Sequence, residues 1–426
     1  MSFPRYPAYK DSGVEWLGEV PGHWASVPLK TIIDQIESGV SVNAVDTPAT
    51  ADESGVLKTS CVYHGDFDAS ENKAVVQNEY DRLACPVTAN TLIVSRMNTP
   101  DLVGAAGLVR LSQPHLFLPD RLWQVHFRDS DPRYVHYWTR TPSYRAQVQV
   151  VCAGTSSSMQ NLSQEDFRSF LITRPPLSEQ SQIAAFLDRE TAKIDALVTE
   201  QRRLMELLKE KRQAVISHAV TRGLNPEAPM KPSGIEWLGD VPEHWEVLKL
   251  KFLCEIQTGD KDTENAVDNG IYPFFVRSQT VERINSMSFD CEAILTAGDG
   301  VGVGKVFHYH NGPFDFHQRV YMMNNFKNVS GPYLFHFFRE NFYKVALEGG
   351  AKSTVDSLRR PMFMNFTVCV PTKAEQAAIV VEIEKTATQF DTLTTEAQHA
   401  IDLLQERRTA LISAAVTGQI DVRSAV

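Results

Sequence analysis

SGVEWLGEVPGHWASVPLK, residues Ser12 to Lys30, is written a second time as SGIEWLGDVPEHWEVLKLK, residues Ser233 to Lys251. Two such similar tryptophan-rich stretches mark an internal duplication. A second pair extends it: PPLSEQSQIAAFLDRETAKIDALV from Pro175 is answered by PTKAEQAAIVVEIEKTATQFDTLT from Pro371. The order is opening segment, variable region, long helix, and then the same again. The opening segments stand 221 residues apart and the helical ones 196, so the second variable region is shorter by 25 residues. Segments that keep their form around regions that drift describe one scaffold carrying two different heads.

The helical repeats carry their own periodicity. Alternating steps of four and three place Ile183, Leu187, Glu190, Ile194, Leu197, Gln201, Leu204, Leu208, Lys211 and Val215 on one stripe, a heptad seam. Adding 196 gives Ile379, Ile383, Thr386, Phe390, Leu393, Ala397, Ala400, Leu404, Arg407 and Leu411. The polar interruptions at 190 and 211 recur at 386 and 407. A helix of about 40 residues cannot bury such a stripe against its own small head. The spacing therefore predicts that the two stripes bury each other, as a coiled coil about 50–60 Å long at about 1.5 Å per residue. Pro175-Pro176 and Pro371 stand just before the helices, Thr372 and Glu375 have capping-box spacing, and Gly223, Pro226 and Gly418 mark the ends. Leu224 to Ser233 reads as a linker.

The variable regions read as mixed α/β (α+β). In the first, TLIVSRMN at 91–98, AGLVRL at 106–111 and LWQVHF at 122–127 alternate like strands. In the second, EAILTAG at 292–298, GKVFHY at 304–309 and RVYMMN at 319–324 do the same. Helix-like stretches follow, DPRYVHYWTRTPSYRAQVQ and GPYLFHFFRENFYKVALE. The matching order predicts equivalent folds despite low similarity.

Composition bounds the function. The 426 residues, 43% hydrophobic and 22% charged, suit two globular heads that each bury a core. No apolar run approaches the roughly 20 residues that span a bilayer, and MSFPRYPAYKDSG lacks the apolar stretch of a secretory signal. Six scattered cysteines with no CxxC pair suggest a reduced, cytoplasmic protein without structural zinc. The formal net charge of −10 argues against nucleic acid, whose binders carry a basic face. Against it stands a basic interval in the first half: Arg110, Arg121, Arg128, Arg133, Arg140 and Arg145.

Few motifs suggest chemistry. GDGVGVGK, Gly298 to Lys305, is not a P-loop, because Asp299 occupies the first glycine position and Val306 follows the lysine. A strand-turn-strand hairpin accounts for it. Asp131-Pro132-Arg133-Tyr134 reads better as a helix start, capped by Asp131, than as a methyltransferase loop. His308, His310 and His317 lack the further ligands that a metal needs. No serine, cysteine or carboxylate sits in a catalytic context, so no catalytic or metal-binding residue is expected. Two polar runs align, CAGTSSSMQNLS (Cys152 to Ser163) with EGGAKSTVDSLR (Glu348 to Arg359). Small hydroxyl residues beside glycine allow a backbone to approach phosphates. The tryptophans Trp16, Trp24, Trp237 and Trp245, identical in setting, suggest scaffold packing or a partner-binding patch rather than base stacking.

Together the segments GVEWLGEVPGHWASVPLK, GIEWLGDVPEHWEVLKLK, PPLSEQSQIAAFLD and PTKAEQAAIVVEI resemble those of type I restriction-modification specificity subunits, over essentially the whole chain. The resemblance implies two target-recognition domains, each reading half of an interrupted DNA site, joined by two long antiparallel coiled-coil helices with pseudo-twofold symmetry. It divides the chain into a first domain with its opening segment (1–174), a first spacer helix (175–224), linker and second domain (225–370), and a second spacer helix with tail (371–426). It implies double-stranded DNA, two methyltransferase subunits and a restriction/translocase subunit as partners. No cofactor is expected on this chain, and S-adenosylmethionine, ATP and Mg are expected on the partners. The expected DNA contacts are polar residues near strand ends: Arg96, Asn98, Arg121, Ser156 and Ser157 in the first head, and Arg277, Lys305, Arg319, Lys352 and Ser353 in the second. The rival reading is a non-catalytic protein-interaction scaffold with coiled-coil docking and no DNA readout.

Overall fold

The computed structural model describes residues 3–152, 158–348 and 358–425. The chain divides into two compact units, Met1–Glu200 with Ala400–Val426, and Gln201–His399. Each contains one opening segment, one head, the start of one long helix and the end of the other.

The first head is built on a four-stranded antiparallel sheet in the order Ala106–Val109, Thr91–Ser95, Leu122–Phe127, Ile33–Ser38. Alternation along the strands feeds two cores. Leu92, Val94, Trp123 and Val125 face the helices, whereas Ile93 and Leu122 face Leu57, Val62, Val109 and Leu116. A second sheet, of five short strands, includes Gln113–Phe117, which pairs in parallel with Gly55–Leu57. The second head has one six-stranded sheet, Glu255–Thr258, Val320–Asn324, Phe289–Ala297, Phe307–Phe316, Tyr272–Phe275, Glu282–Ile284. Its order repeats the first. One ten-residue strand, Phe307–Phe316, replaces the two pieces Ala106–Val109 and Gln113–Phe117, and its parallel partner is Tyr272–Phe275. The six strands expected from alternation are all present, with shifted ends. The first helix-like stretch is two helices, Pro132–Thr139 and Pro142–Cys152, broken where Pro142 cannot extend the first, and the second is one, Gly331–Glu348.

The opening segments fold alike. Tyr9–Asp11 pairs with Glu19–Pro21, and Met230–Pro232 with Asp240–Pro242. Trp24 and Trp245 are buried, and each lies on the glycine that ends a long helix. A Cβ on Gly418 (φ +74°) would stand 3.1 Å from Trp24, and one on Gly223 (φ +79°) 3.1 Å from Trp245. Glycine alone meets both the left-handed backbone and the close approach. Trp16 is exposed, and Trp237 stacks on Phe366 (5.7 Å).

The long helices are Leu177–Arg222 and Lys373–Val416. In the first unit Ile183, Phe186 and Leu187 share a core with Ile412, Ala415 and Val416, and Asp195 meets Arg408 (3.1 Å). In the second, Ile216, Ala219 and Val220 share a core with Ile379 and Ile383, and Arg212 meets Asp391 (2.8 Å). Within each unit the two helical segments therefore run antiparallel.

The buried stripe departs from the expected seam at alternate positions of the first helix and less in the second, where Thr386 and Ala397 are buried as the seam expects. Ile183, Leu187, Ile194, Ile379 and Ile383 are buried, and Leu208, Val215, Phe390, Leu404 and Leu411 are half-buried. Leu197, Leu204 and Leu393 are exposed, and their neighbours Val198, Met205 and Thr394 turn inward instead. Thr191 replaces Glu190 inside, with its hydroxyl donated to the Leu187 carbonyl (2.7 Å). Adjacent apolar residues such as Leu197-Val198 and Leu204-Met205 allow two seams one residue apart. Packing of Ile183, Ala184, Phe186 and Leu187 into the head fixes the helix rotation and selects between them.

Candidate nucleic-acid interface

Both heads present the same corner at the end of the central strand. The residue after that strand donates its N–H to an arginine carbonyl, Arg96 to Arg121 (3.1 Å) and Gly298 to Arg319 (2.8 Å). Its own carbonyl accepts from the leucine that closes the polar run, Leu162 to Arg96 and Leu358 to Gly298, both 2.8 Å. The arginine then opens the next strand, Leu122–Phe127 or Val320–Asn324. The aligned polar runs thus return to equivalent places. Ser156, Ser157, Lys352 and Ser353 lie outside the described residues.

Of the expected first-head contacts, Arg121 is exposed and lies in no ion pair among the described residues. Arg96 is half-buried and donates its Nε to the Asp120 carbonyl (2.8 Å). Asn98 departs from expectation. It is buried, with Nδ2 donated to Tyr63 Oη and Ser95 Oγ (both 3.1 Å) and Oδ1 accepting from Thr99 N (2.9 Å). An amide so engaged has no free edge for adenine. It holds the strand end instead.

The basic interval is mostly neutralised inside the first head. Arg110 meets Asp188 (3.0 Å), Arg133 meets Asp131 (2.8 Å) and Asp188 (3.3 Å), and Arg140 meets Asp66 (3.1 Å). Arg145 donates to the Val103 and Pro100 carbonyls. Arg121 and Arg128 remain exposed.

In the second head three expected contacts lie around one turn. Lys305 is exposed upon it. Asp299 accepts from Arg277 at Oδ1 (2.9 Å) and from Arg319 at Oδ2 (2.7 Å). Burial pushes the Asp299 pKa up, but the bonds from both arginines outweigh it and hold the carboxyl below the usual range. A cleft of about 360 Å³ opens here, lined by Thr263, Arg277, Ser278, Glu282, Asp299 and Gly300 among others.

The remaining motifs are structural. Gly298 to Lys305 is the turn of the hairpin between Phe289–Ala297 and Phe307–Phe316. Asp131 caps Pro132–Thr139 through the Arg133 N–H (2.9 Å). His308 pairs with the Ser278 carbonyl (3.0 Å), His310 with that of Pro313 (3.4 Å), and His317 Nδ1 accepts from Arg319 N (3.0 Å). Among the described residues no three His, Cys, Asp or Glu side chains are grouped to hold a metal, and no helix is long and apolar enough to cross a membrane.

Sequence reading missed Asp299, which stands where a P-loop would have its first glycine, because its arginines, just after Tyr272–Phe275 and just before Val320–Asn324, lie some 20 residues away on either side. It also missed a repeated latch. Tyr134 Oη donates to the Val416 carbonyl (3.0 Å), and Tyr333 Oη to that of Val220 (2.9 Å). Val220 and Val416 are the same position of the helical repeat, and that spacing was the available signal.

Comparison with known proteins agrees with this architecture. A family model described as the type I restriction modification DNA specificity domain matches residues 129–206 and 242–402, more than half of the chain. The chain is 28% identical over 182 residues to the EcoDI type I restriction enzyme specificity subunit of Escherichia coli, covering 43% of this chain and only 40% of that subunit. It is 23% identical over 438 residues to the EcoKI specificity subunit of Escherichia coli K12, covering 95% and 90%. A chain from a structural study of type I R-M complex assembly and conformational transition superposes with a TM-score of 0.69 at 16% identity, covering 93% of this chain and 98% of that one. The HsdS subunit of Thermoanaerobacter tengcongensis gives 0.54 at 15%, covering 94% and 98%. With its duplicated plan, its two like-ordered heads and a family match across both halves, the chain belongs to the type I restriction-modification DNA specificity family.

Proposed function

We propose that this chain reads a two-part, interrupted sequence in double-stranded DNA, one part with each head, and delivers methyltransferase subunits to it. One observation carries the reading: a shared corner at the strand ends that bears different side chains in the two heads, Met97 after Arg96 in one and Asp299 after Gly298 in the other. A scaffold that serves two sequences keeps its frame and varies its readers. In this reading the chain has no catalysis of its own. Adenine methylation from S-adenosylmethionine, and any ATP- and Mg-dependent translocation and cleavage, belong to methyltransferase and restriction subunits in the cytoplasm. The long helices act as the spacer between half-sites.

Mapping methylated adenines in a genome that expresses this chain with its neighbouring methyltransferase tests the proposal. The expected result is one motif with two fixed parts and an unspecified gap. Methylation without a motif would favour the protein-interaction scaffold, towards which the net charge of −10 leans.

A further inference from the structure

We propose that Asp299 is a positioning residue that sets the sequence preference of the second head by holding Arg277 and Arg319 as a paired guanidinium reader. The inference rests on the DNA-reading function proposed above. The carboxylate is nearly enclosed, with its side chain 13% exposed, while those of the arginines stay open at 42% and 59%. Each arginine spends one Nη on Asp299. A guanidinium has five N–H donors, so each retains enough to address the O6 and N7 edge of a guanine. Long side chains fixed before binding lose less freedom when they bind, and a fixed fork rejects a base that a mobile one tolerates.

The glycine-rich turn is shaped for this clamp. A Cβ on Gly298 would stand 2.8 Å from the Arg319 carbonyl oxygen, and one on Gly302 2.5 Å from that of Arg277. The turn is thus threaded between the backbones of the two arginines, which only residues without Cβ allow, and Asp299 lies between those glycines. In the first head the corresponding corner arginine, Arg121, is exposed, and Met97 stands at the position of Asp299 and offers no carboxylate. The clamp is therefore a difference between two heads that otherwise share a frame, where a difference in preference must reside.

The test uses the chain assembled with its methyltransferase subunits. Methylation rates are measured on duplexes substituted at each base pair, for wild type, Asp299→Asn, Arg277→Ala, Arg319→Ala and Arg319→Lys. The expected result for Asp299→Asn is an about 10- to 100-fold loss of discrimination at one or two base pairs of the second half-site. These are the pairs that the arginine variants also relax. The first half-site stays strict, and affinity for non-specific DNA is unchanged or tighter, because a negative charge has gone. Full discrimination by Asp299→Asn, or uniform weakening on every duplex, overturns the proposal. Should Asp299→Asn fail to fold, Arg319→Lys keeps a cation beside Asp299 without the fork, and its retention of full discrimination overturns the proposal equally. Failure of the underlying reading looks different, since wild type then has no fixed second half-site.

Discussion

Gln180 and Gln376 explain why Glu-Gln recurs at the start of both long helices. Gln376 accepts from Ser330 N (2.7 Å) and donates to the carbonyls of Asn328 (3.1 Å) and Pro371 (2.9 Å). Gln180 accepts from Asp131 N (3.0 Å) and donates to the Pro175 carbonyl (3.0 Å). Each amide ties the helix start to the loop that begins its head's helix. Gln180→Ala and Gln376→Ala should each cost about 2–4 kcal/mol by leaving buried backbone groups unpaired. Urea unfolding measures this, and a cost below about 1 kcal/mol would show that the groups find other partners. The neighbouring glutamates diverge for a covalent reason. Glu375 closes a capping box with Thr372, while the first copy has Pro176, which has neither N–H nor hydroxyl. Both glutamates meet the histidine of their own opening segment, Glu179 with His23 (2.8 Å) and Glu375 with His244 (2.7 Å), and Glu179 also accepts from Trp24 Nε1 (3.2 Å). His136 gives a pH test. Burial pushes its pKa down to about 4, opposed by the Gly65 carbonyl. The unfolded imidazole titrates near 6.5, so the unfolded state takes the proton first as pH falls. Stability that is complete above about pH 6.5 should fall by about 3 kcal/mol towards pH 4, and His136→Gln should flatten that part of the Tm curve. Parallel curves for variant and wild type would refute it.

At the scale of the element, the two long helices were legible and their rotation was not. Their ends follow from Pro175, Thr372, Gly223 and Gly418, which act through local backbone chemistry. The inward face depends on packing against heads contributed by distant sequence, and the doublets at 197–198 and 204–205 left it open. Ile194→Ala should therefore cost about 2–4 kcal/mol. Leu197→Ala should stay within about 0.5 kcal/mol. Equal costs in thermal unfolding would restore the seam expected from spacing. If the helices set the gap between half-sites, adding one heptad to each lengthens them by about 10 Å, roughly three base pairs. The methylated motif should then keep both fixed parts and gain about three positions between them, and an unchanged gap would remove the helices as spacer.

For the whole molecule, the duplication made most of the architecture readable, because any feature present twice at a constant offset is signal. The site was readable in part. Arg121 and Arg319 stand among the polar residues expected near strand ends, and they occupy equivalent corners. Asn98 and four of the basic interval's six arginines misled, since a polar side chain near a strand end looks alike in sequence whether it faces solvent or is tied up inside. The acidity has a measurable consequence. With a net charge of −10, the isolated chain should bind DNA weakly. Addition of the methyltransferase subunit should give tight binding with a steep salt dependence, whereas equal affinity with and without it would place the cationic surface on this chain.

The tyrosine latches bear on how the protein is made. The first head's core includes Ile412, Ala415, Val416 and Val422, which are synthesised after the whole of the second head. Some 200 residues separate the two parts of this unit, and at about 5–20 residues per second its earlier part waits roughly 10–40 s for the end of the second long helix. During that interval Ile183, Phe186 and Leu187 lack their helical cover. The nascent chain is then a natural client for chaperones, and a message cut short before Ile412 yields a product whose first core stays open.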